Sequence, residues 1–253
     1  MKTTTHQQEL AGQVALVTGA AINIGRATAI ELAKAGAAIA VNTKSSREAS
    51  QAVVNDIRAA GGQAELYLAD IAKAEDVKGM TDAILQRFGQ IDILVLNASI
   101  RREILLKDMT YEQWREPINI SLDGSFHCIK ACLPSMMAAK HGNIIALTGS
   151  NVLTGSSGKT HSGAAKAGLT GMIKALAREV GPYGIRANCV SPGIINTSRP
   201  SHRSPRRDAK GVVPLERYGE SGEIASTVRF LCGAGAGYIT GQTVHVNGGQ
   251  WMF

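Results

Sequence analysis

The strongest constraint on the fold is a regular alternation of short apolar runs with longer amphipathic stretches. The apolar runs have the length of buried strands, and the amphipathic stretches have helical periodicity. We expect strands at 14–19, 38–43, 64–70, 91–99, 142–150, 185–193 and 243–249. We expect helices at 24–37, 46–62, 74–89 and 160–181, with a long helical region before the fifth strand. Such alternation predicts an α/β fold, a doubly wound parallel sheet with helices on both faces.

Length and composition suit a single domain of this class. The chain has 253 residues, 44% of them apolar, and no linker or change of composition divides it. We therefore expect a flexible tail at 1–10 and one domain at 11–253. The N-terminus lacks the apolar core of a signal peptide, and no apolar run approaches the roughly 20 residues of a membrane span. These features predict a cytoplasmic protein with no membrane partner.

Charge and cysteine content narrow the classes of ligand. A formal net charge of +7 suits ordinary solubility or an anionic ligand, and no nucleic-acid-binding signature accompanies it. None of the four cysteines belongs to a CxxC pair, so neither a metal site nor a redox dithiol is predicted. Free thiols suit a reducing cytosol. The cysteines are Cys128, Cys132, Cys189 and Cys232.

The turn after the first strand has the composition of a phosphate-binding loop. It reads TGAAINIG over 18–25, and Gly19 and Gly25 bracket it. Small residues let the backbone approach a pyrophosphate at a helix N-terminus, where free N–H groups attract anions. The G-x-G-x-x-G spacing of dinucleotide-binding folds is absent, so the turn alone is equally compatible with tight packing.

Several motifs in order resemble those of the short-chain dehydrogenase/reductase family, over about residues 10 to 250. The chain is most similar to the bacterial 3-oxoacyl-carrier-protein reductase branch. The family fingerprint T-G-x-x-x-G-x-G appears as Thr18, Gly19, Asn23 and Gly25, with asparagine in place of the middle glycine. Asparagine tolerates positive φ better than other non-glycine residues, so we expect the loop to keep its shape. The resemblance implies a single-domain Rossmann-like fold, oxidoreductase activity and a homotetramer.

The resemblance also implies a set of cofactor-binding residues beyond that fingerprint. Asp70 resembles the family's adenine-contacting acid, and Asn97 its N-A-G asparagine, for which the alternative is a strand-end cap. Ile195 stands where a backbone amide commonly meets the nicotinamide carboxamide. The remaining positions are Ile24, Ile71, Ala98, Lys166, Pro192, Gly193 and Thr197.

The end of the second strand bears on the choice of dinucleotide. An acidic residue there would accept the ribose 2′-hydroxyl of NAD, but the sequence over 41–46 is VNTKSS, with no carboxylate. Lys44, Ser45 and Ser46 could instead attract and hydrogen-bond a 2′-phosphate. With Thr43 before them, Lys44 and Ser45 are expected to bind the cofactor. We expect NADP(H) rather than NAD(H). The alternative is that Lys44 is a solvated loop charge.

The catalytic residues implied by the resemblance are present except for one. Lys166 corresponds to the family's lysine and Asn119 to its upstream asparagine. Ser150 corresponds to its substrate-orienting serine if the following loop has one deletion. Without that deletion, Gly149 stands at the serine position. Four residues before Lys166, where the family has a tyrosine that delivers a proton, stands Ser162. An aliphatic alcohol is far less acidic than a phenol.

The neighbouring His161 is a candidate replacement for the missing phenol. Histidine titrates near neutrality and serves as a proton donor in many enzymes. Adjacent residues of a helix point in different directions, so the role requires the helix to start late or the ring to turn into the cleft. The alternative is a helix cap or a surface residue. Water is the other candidate proton source.

A basic segment follows Pro192 and Gly193, at the place where the family has a mobile substrate lid, here about 196–215. Its five cations stand against Asp208, an excess of +4. Such a segment could bind an anion, namely phosphopantetheine, coenzyme A, or the carboxylate or phosphate of a small substrate, and the alternative is a solvated loop. Arg101 and Arg102, just after the fourth strand, are expected at the same cleft. The lid cations are Arg199, Arg203, Arg206, Arg207 and Lys210.

Three functions follow, in order of preference. The first is NADP(H)-dependent reduction of a carbonyl, 3-oxoacyl-like or otherwise anionic. The second is reduction of an activated C=C bond, because the Ser-x-x-x-Lys spacing resembles that of dienoyl-CoA reductases. Those enzymes also use a tyrosine in the strand-five loop, and this chain has Asn151 at that position, so the match is incomplete. The third is a dinucleotide-binding protein with little redox activity.

Overall fold

The computed structural model describes residues 8–198 and 208–252. Its centre is a parallel sheet of seven strands in the order β3-β2-β1-β4-β5-β6-β9. This confirms the predicted α/β class and doubly wound topology. The strands are β1 (Val14–Val17), β2 (Ala38–Thr43), β3 (Ala64–Leu68), β4 (Ile93–Leu96), β5 (Gly142–Leu147), β6 (Ile185–Pro192) and β9 (Thr243–Val246).

Helices cover both faces of the sheet. One face carries α1 (Asn23–Lys34), α2 (Arg47–Ala59) and α8 (Ser221–Cys232). The other carries α3 (Ala74–Phe88), α5 (Gly124–Ala139) and α7 (Thr160–Val180). Two shorter helices, α4 (Tyr111–Ile118) and α6 (Asn151–Thr154), lie in the connections around β5. No helix of the described ranges is long and apolar enough to cross a membrane.

The strands read as continuous apolar runs because both of their faces are buried. In β1, Ala15 and Val17 pack into one core cluster, whereas Val14 and Leu16 pack into the other. All four are buried, and Leu16 is paired in register with Ala40 of β2 and with Leu94 of β4. A parallel sheet covered by helices on both sides requires this pattern.

The strand order reverses between β1 and β4. The chain runs outward from β1 to β2 and β3 on one side, and from β4 through β5 and β6 on the other. In doubly wound sheets, ligands bind in the crevice outside the carboxyl ends of the strands at this switch point. The loops that follow β1, β4, β5 and β6 therefore form the functional edge.

The strands end earlier than the sequence suggested, and the connection between β4 and β5 is not one helix. β1, β4 and β5 stop two or three residues short, because the polar residues after them leave the ladder to form loops. The connection comprises a 3₁₀ turn at Leu106–Asp108, helix α4, a π-helical stretch at Asn119–Asp123, and α5.

The N-terminal boundary also differs from the expectation. Leu10, assigned to the tail, is fully buried, and its N–H donates to the carbonyl of Ala35 at 2.8 Å. Glu9 pairs with Arg229 of α8 at 2.7 Å. The ordered core therefore includes residues before position 11.

Only the ends of the expected lid fall within the described residues. At its start, β7 (Ile195–Asn196) pairs in parallel with β8 (Gly219–Glu220). At its end, Ala209 and Val213 are each 4% exposed. The arginines assigned to the lid lie outside the described residues; they are Arg199, Arg203, Arg206 and Arg207.

Candidate active site

The turn between β1 and α1 has the predicted backbone shape. Gly19 has φ +62° and Asn23 has φ +53°, which confirms that asparagine takes the positive-φ position of the missing glycine. The Asn23 Oδ1 accepts hydrogen bonds from the N–H and the hydroxyl of Ser198, at 2.9 and 3.0 Å. Asn23 therefore ties the loop to the start of the lid segment.

No side chain fits between this loop and the end of β4. A Cβ on Gly25 would lie 2.3 Å from the carbonyl oxygen of Gly19, and one on Gly19 would lie 2.9 Å from the Cα of Ala98. The N-cap of α1 is Ile22, whose side chain has no oxygen to accept from the first amides of the helix. A bare backbone with open amides at a helix N-terminus fits the phosphates of a dinucleotide.

Asn97 braces this loop from the end of β4. Its side-chain amide donates to the carbonyls of Thr18 and Gly19, both at 2.9 Å. In return, the Thr18 hydroxyl oxygen accepts from the N–H groups of Asn97 and Ala98, at 3.0 and 3.1 Å. The side chain of Asn97 thus joins two strand ends, as in the alternative of a strand-end cap, and it holds the backbone of the turn between β1 and α1.

Two predicted cofactor residues form an ion pair at the ends of β2 and β3. The Lys44 ammonium lies 2.8 Å from Asp70 Oδ2, and Asp70 Oδ1 accepts from the N–H of Ala72 at 3.1 Å. Hydrogen bonding and charge from Asp70 raise the pKa of Lys44. Burial opposes ionisation of Asp70, yet Lys44 and the Ala72 amide hold its pKa below the usual value. Ser45 is exposed, whereas Thr43 is buried.

Other predicted cofactor residues serve packing or line the cleft described next. Ile71 is buried against the start of α5, where a Cβ on Gly124 would lie 2.9 Å from its side chain. Ile24 is likewise a core residue of α1. Gly193 permits close contact with the C-terminal segment, because a Cβ there would lie 2.7 Å from Asn247.

A cleft of about 530 Å³ opens where β5 and β6 end. Three of the five predicted catalytic residues line it, namely Ser150, Ser162 and Lys166. The Lys166 ammonium donates to the main-chain carbonyl of Leu147, and the Ser162 hydroxyl donates to the carbonyl of Lys159 at 3.2 Å. Predicted cofactor residues also line this cleft; they are Pro192, Gly193, Ile195 and Thr197.

The sequence motifs that resemble the family follow one another in the family's order along one doubly wound sheet. Comparison with known proteins agrees with this resemblance. A family model described as enoyl-(acyl carrier protein) reductase matches residues 19–250. The chain belongs to the short-chain dehydrogenase/reductase family. It is accordingly an oxidoreductase of that family.

Curated relatives in this family are similar over nearly their whole length. A 3-oxoacyl-(acyl-carrier-protein) reductase of Synechocystis sp. is 42% identical over 245 residues, which cover 96% of this chain and 99% of the relative. The reductase of Staphylococcus epidermidis is 40% identical, and the match covers 94% of this chain and 98% of the relative. The reductase of Pseudomonas aeruginosa is also 40% identical, and the match covers 96% of this chain and 99% of the relative.

Two of the predicted catalytic residues of this short-chain oxidoreductase are not among those lining the cleft. Asn119 is the first residue of the π-helical stretch. Its side-chain Oδ1 accepts a hydrogen bond from the Arg115 guanidinium at 2.8 Å. His161 is 0% exposed, because α7 already begins at Thr160. Neither structural condition for a catalytic His161 is met.

The environment of His161 holds it neutral. Burial lowers its pKa, Glu116 opposes that effect, and Arg102 adds to it. Within residues 8–198 and 208–252, neither ring nitrogen has a hydrogen-bond partner. A neutral, enclosed imidazole is poorly placed to give a proton to a substrate in the cleft.

No phenol lines the cleft either. The chain has five tyrosines, all of them described, and none is among the lining residues. The position four residues before Lys166 therefore offers only the hydroxyl of Ser162. In the described ranges, no group of three or more histidine, cysteine or carboxylate side chains is placed to hold a metal ion.

Lys166 has an altered acidity. Its pKa falls from 10.5 to about 8, chiefly because its ammonium is buried and secondarily because of the positive charge of Arg101. Enzymes tune lysines into this range when they transfer protons at neutral pH.

The structure adds lining residues that the sequence did not point to. Gln250 and Trp251 reach the cleft from the C-terminal segment. No local signal could have placed them, since their position depends on β9 lying beside β6. Polar residues around α6 complete the wall; they are Asn151, Thr154, Ser156, Ser157 and Lys159.

Proposed function

We propose that the chain is an NADP(H)-dependent reductase of a carbonyl group in a small anionic molecule. One observation carries this proposal: the buried ammonium of Lys166 lies at a cleft that Ser150 and Ser162 also line. The curated relatives are named as reductases of 3-oxoacyl groups, which are carbonyl compounds. Cytoplasmic location and a homotetramer are expectations that come from the family.

The residues that would hold the dinucleotide fit its chemistry. The backbone of Gly19, Asn23 and Gly25 would receive the phosphates, and Lys166 the nicotinamide ribose. When bound, the dinucleotide supplies a hydride to the carbonyl carbon. The preference for NADP(H) rests on Lys44 and Ser45 at the end of β2, where no carboxylate opposes a 2′-phosphate. Asp70 would hold the Lys44 ammonium in position.

Lys166 would supply the proton that the carbonyl oxygen needs. With a pKa of about 8, it is mostly an ammonium at neutral pH and yet acidic enough to release its proton. Ser150 and Ser162 would donate hydrogen bonds to the substrate oxygen, and the Ser162 hydroxyl would pass the proton across. A serine hydroxyl both donates and accepts, which suits such a relay.

A second candidate function is reduction of an activated C=C bond. It is favoured by Ser162, which lines the cleft four residues before Lys166 as in dienoyl-CoA reductases. Asn151, which stands where those reductases have a tyrosine, does not match them. The matched family model also carries an enoyl reductase description. A third candidate, dinucleotide binding with little redox activity, predicts tight binding without turnover.

NADPH oxidation with paired keto and enoyl substrates distinguishes these candidates. We expect keto substrates to be reduced, and Lys166→Ala to lower kcat/KM by about 100-fold or more, the usual contribution of a positioned proton donor. Lys174→Ala removes an exposed lysine from the same helix and should leave kcat/KM within about twofold, as expected for a surface change. Equal effects of the two variants would refute the role of Lys166.

A further inference from the structure

We infer that Asn23 is a positioning residue that transmits dinucleotide binding to the wall of the cleft. Its side chain links the turn between β1 and α1, which would hold the phosphates, to the segment 195–198, which borders the cleft. The inference rests on the proposed function, because it needs a dinucleotide at that turn. It goes beyond the family resemblance, since the family fingerprint has glycine at this position and glycine has no side chain to make the link.

The link consists of two hydrogen bonds that meet at one atom. Asn23 Oδ1 accepts from the N–H of Ser198 at 2.9 Å and from the Ser198 hydroxyl at 3.0 Å. A main-chain N–H only donates, so the oxygen of the Asn23 amide must be the atom that faces Ser198. Because both lone pairs of that oxygen are engaged, the Asn23 side chain cannot turn away without releasing Ser198.

The nitrogen of the same amide remains for a ligand. Among residues 8–198 and 208–252, Asn23 Nδ2 donates a hydrogen bond to no other residue, and the side chain is only half-buried. A phosphate oxygen is an acceptor that an amide N–H suits. A dinucleotide phosphate at the turn would therefore fix the orientation of the amide, and with it the oxygen that holds Ser198.

The turn that carries Asn23 has little freedom to absorb such a change. Asn23 has φ +53°, a backbone region that few residues other than glycine enter. A Cβ on Gly25 would lie 2.3 Å from the Gly19 carbonyl oxygen and 2.5 Å from Asn97 Nδ2, so the turn is packed closely on itself and on the end of β4. A change at Asn23 is therefore passed on to Ser198.

The segment 195–198 carries this contact to the cleft. Ile195 and Thr197 line the cleft, and they are 9% and 8% exposed. The segment begins in β7, where Ile195 pairs with Gly219 of β8. It ends at Ser198, which is exposed apart from its contact with Asn23. This part of the wall is thus fastened to β8 at one end and to the dinucleotide turn at the other.

The resulting effect is reciprocal. A bound dinucleotide should restrain the segment 195–198, and the restrained segment should in turn tighten dinucleotide binding, because coupling free energies act equally in both directions. Without the Asn23 side chain, the phosphates would still meet the backbone amides of the turn. The restraint on the cleft wall would then be lost while dinucleotide binding persists.

Hydrogen–deuterium exchange with and without NADP⁺ tests the inference and needs no turnover. In the wild-type protein, saturating NADP⁺ should slow exchange of the peptides that span 195–198 by about tenfold, the equilibrium effect of one or two hydrogen bonds. Asn23→Gly should still bind NADP⁺ in calorimetry, but its exchange at 195–198 should be fast and should not respond. Lys140→Gly is the matched control, since Lys140 also has a positive φ, +50°, at the end of α5, and it should respond as wild type does.

Asn23→Asp separates the two halves of the amide. A carboxylate still accepts both bonds from Ser198 but repels a phosphate instead of donating to it. We expect exchange at 195–198 without ligand to equal that of wild type, and NADP⁺ binding to weaken by about tenfold or more, the usual effect of losing one charge-assisted contact.

Two outcomes overturn the inference alone: NADP⁺ binds the wild-type protein without slowing exchange at 195–198, or Asn23→Gly responds as Lys140→Gly does. Protein that binds no NADP⁺ overturns the proposed function and the inference together. Protein that shows the expected exchange response but reduces no carbonyl compound contradicts only the proposed reaction.

Discussion

The ammonium of Lys166 on α7 donates a hydrogen bond to the main-chain carbonyl of Leu147, the last residue of β5. This contact crosses from helix to strand and fixes the lysine beside the cleft. The same enclosure desolvates the ammonium and, with Arg101, brings its pKa to about 8. Position and acidity of the proposed proton donor therefore have one structural origin.

The pH dependence of reduction follows from this pKa. Lysine carries its proton below its pKa and loses it above, so kcat/KM for a keto substrate should be level on the acid side and fall above about pH 8. With a neutral ketone, Arg101→Gln should move the falling limb to higher pH, because a like charge is removed. Initial rates of NADPH oxidation from pH 6 to 10 measure the falling limb of the wild-type protein and its shift in the Arg101→Gln variant. A profile that rises through pH 8 contradicts the assignment.

Ser162→Tyr would place a phenol four residues before Lys166. We expect reduction of simple ketones to rise by about 100-fold, the usual contribution of a positioned general acid. Ser156→Tyr is the control, since it adds a phenol to the same cleft on a different segment. If Ser162→Tyr folds, binds NADPH and reduces ketones no faster than the control, the missing phenol does not limit this site.

The Lys44–Asp70 pair predicts how the two dinucleotides are distinguished. Lys44→Ala should weaken NADPH binding by about tenfold, the usual worth of a charge-assisted contact, and leave NADH binding nearly unchanged. Lys34→Ala, an exposed lysine at the end of α1, should affect neither. Fluorescence titration of NADPH and of NADH into each of the two variants supplies the four dissociation constants that are compared. An equal loss for NADPH and NADH would show that Lys44 does not contact the 2′-phosphate.

The glycine loop gives a sharp test of the phosphate cradle. Gly25→Ala would force a Cβ to within 2.3 Å of the Gly19 carbonyl and 2.5 Å of the Asn97 amide, so the loop must move and dinucleotide binding should be lost. Gly79→Ala on α3 has nothing within 4 Å and should stabilise the protein by about 1 kcal/mol. Thermal melts and nucleotide titrations of both variants test this. Full NADPH affinity in a folded Gly25→Ala variant would exclude the cradle.

The fold and half of the site could be predicted because their signals are local. Strand and helix periodicity lies within ten or fifteen residues, and the shape of the Gly19–Gly25 turn depends on its own residues, including the positive φ of Asn23. Ser162 and Lys166 share a cleft because positions four apart lie on one face of α7.

The remaining predictions depended on distances and directions that sequence does not contain. One residue along a helix turns a side chain by about 100°, which puts His161 in the interior while Ser162 faces the cleft. Asn119 lies in a π-helical stretch, whose extra residue per turn redirects side chains and has no sequence pattern of its own. Leu10 and Trp251 take their positions from contacts with distant segments.

Calorimetric titration of the folded protein with NADPH and NADH tests the central claim most directly. The claim is that the carboxyl edge of the sheet binds a nicotinamide dinucleotide, with Lys166 at its ribose. We predict binding of both, tighter for NADPH, and weaker binding to Lys166→Ala than to Lys174→Ala. Well-folded protein that takes up neither nucleotide would contradict it.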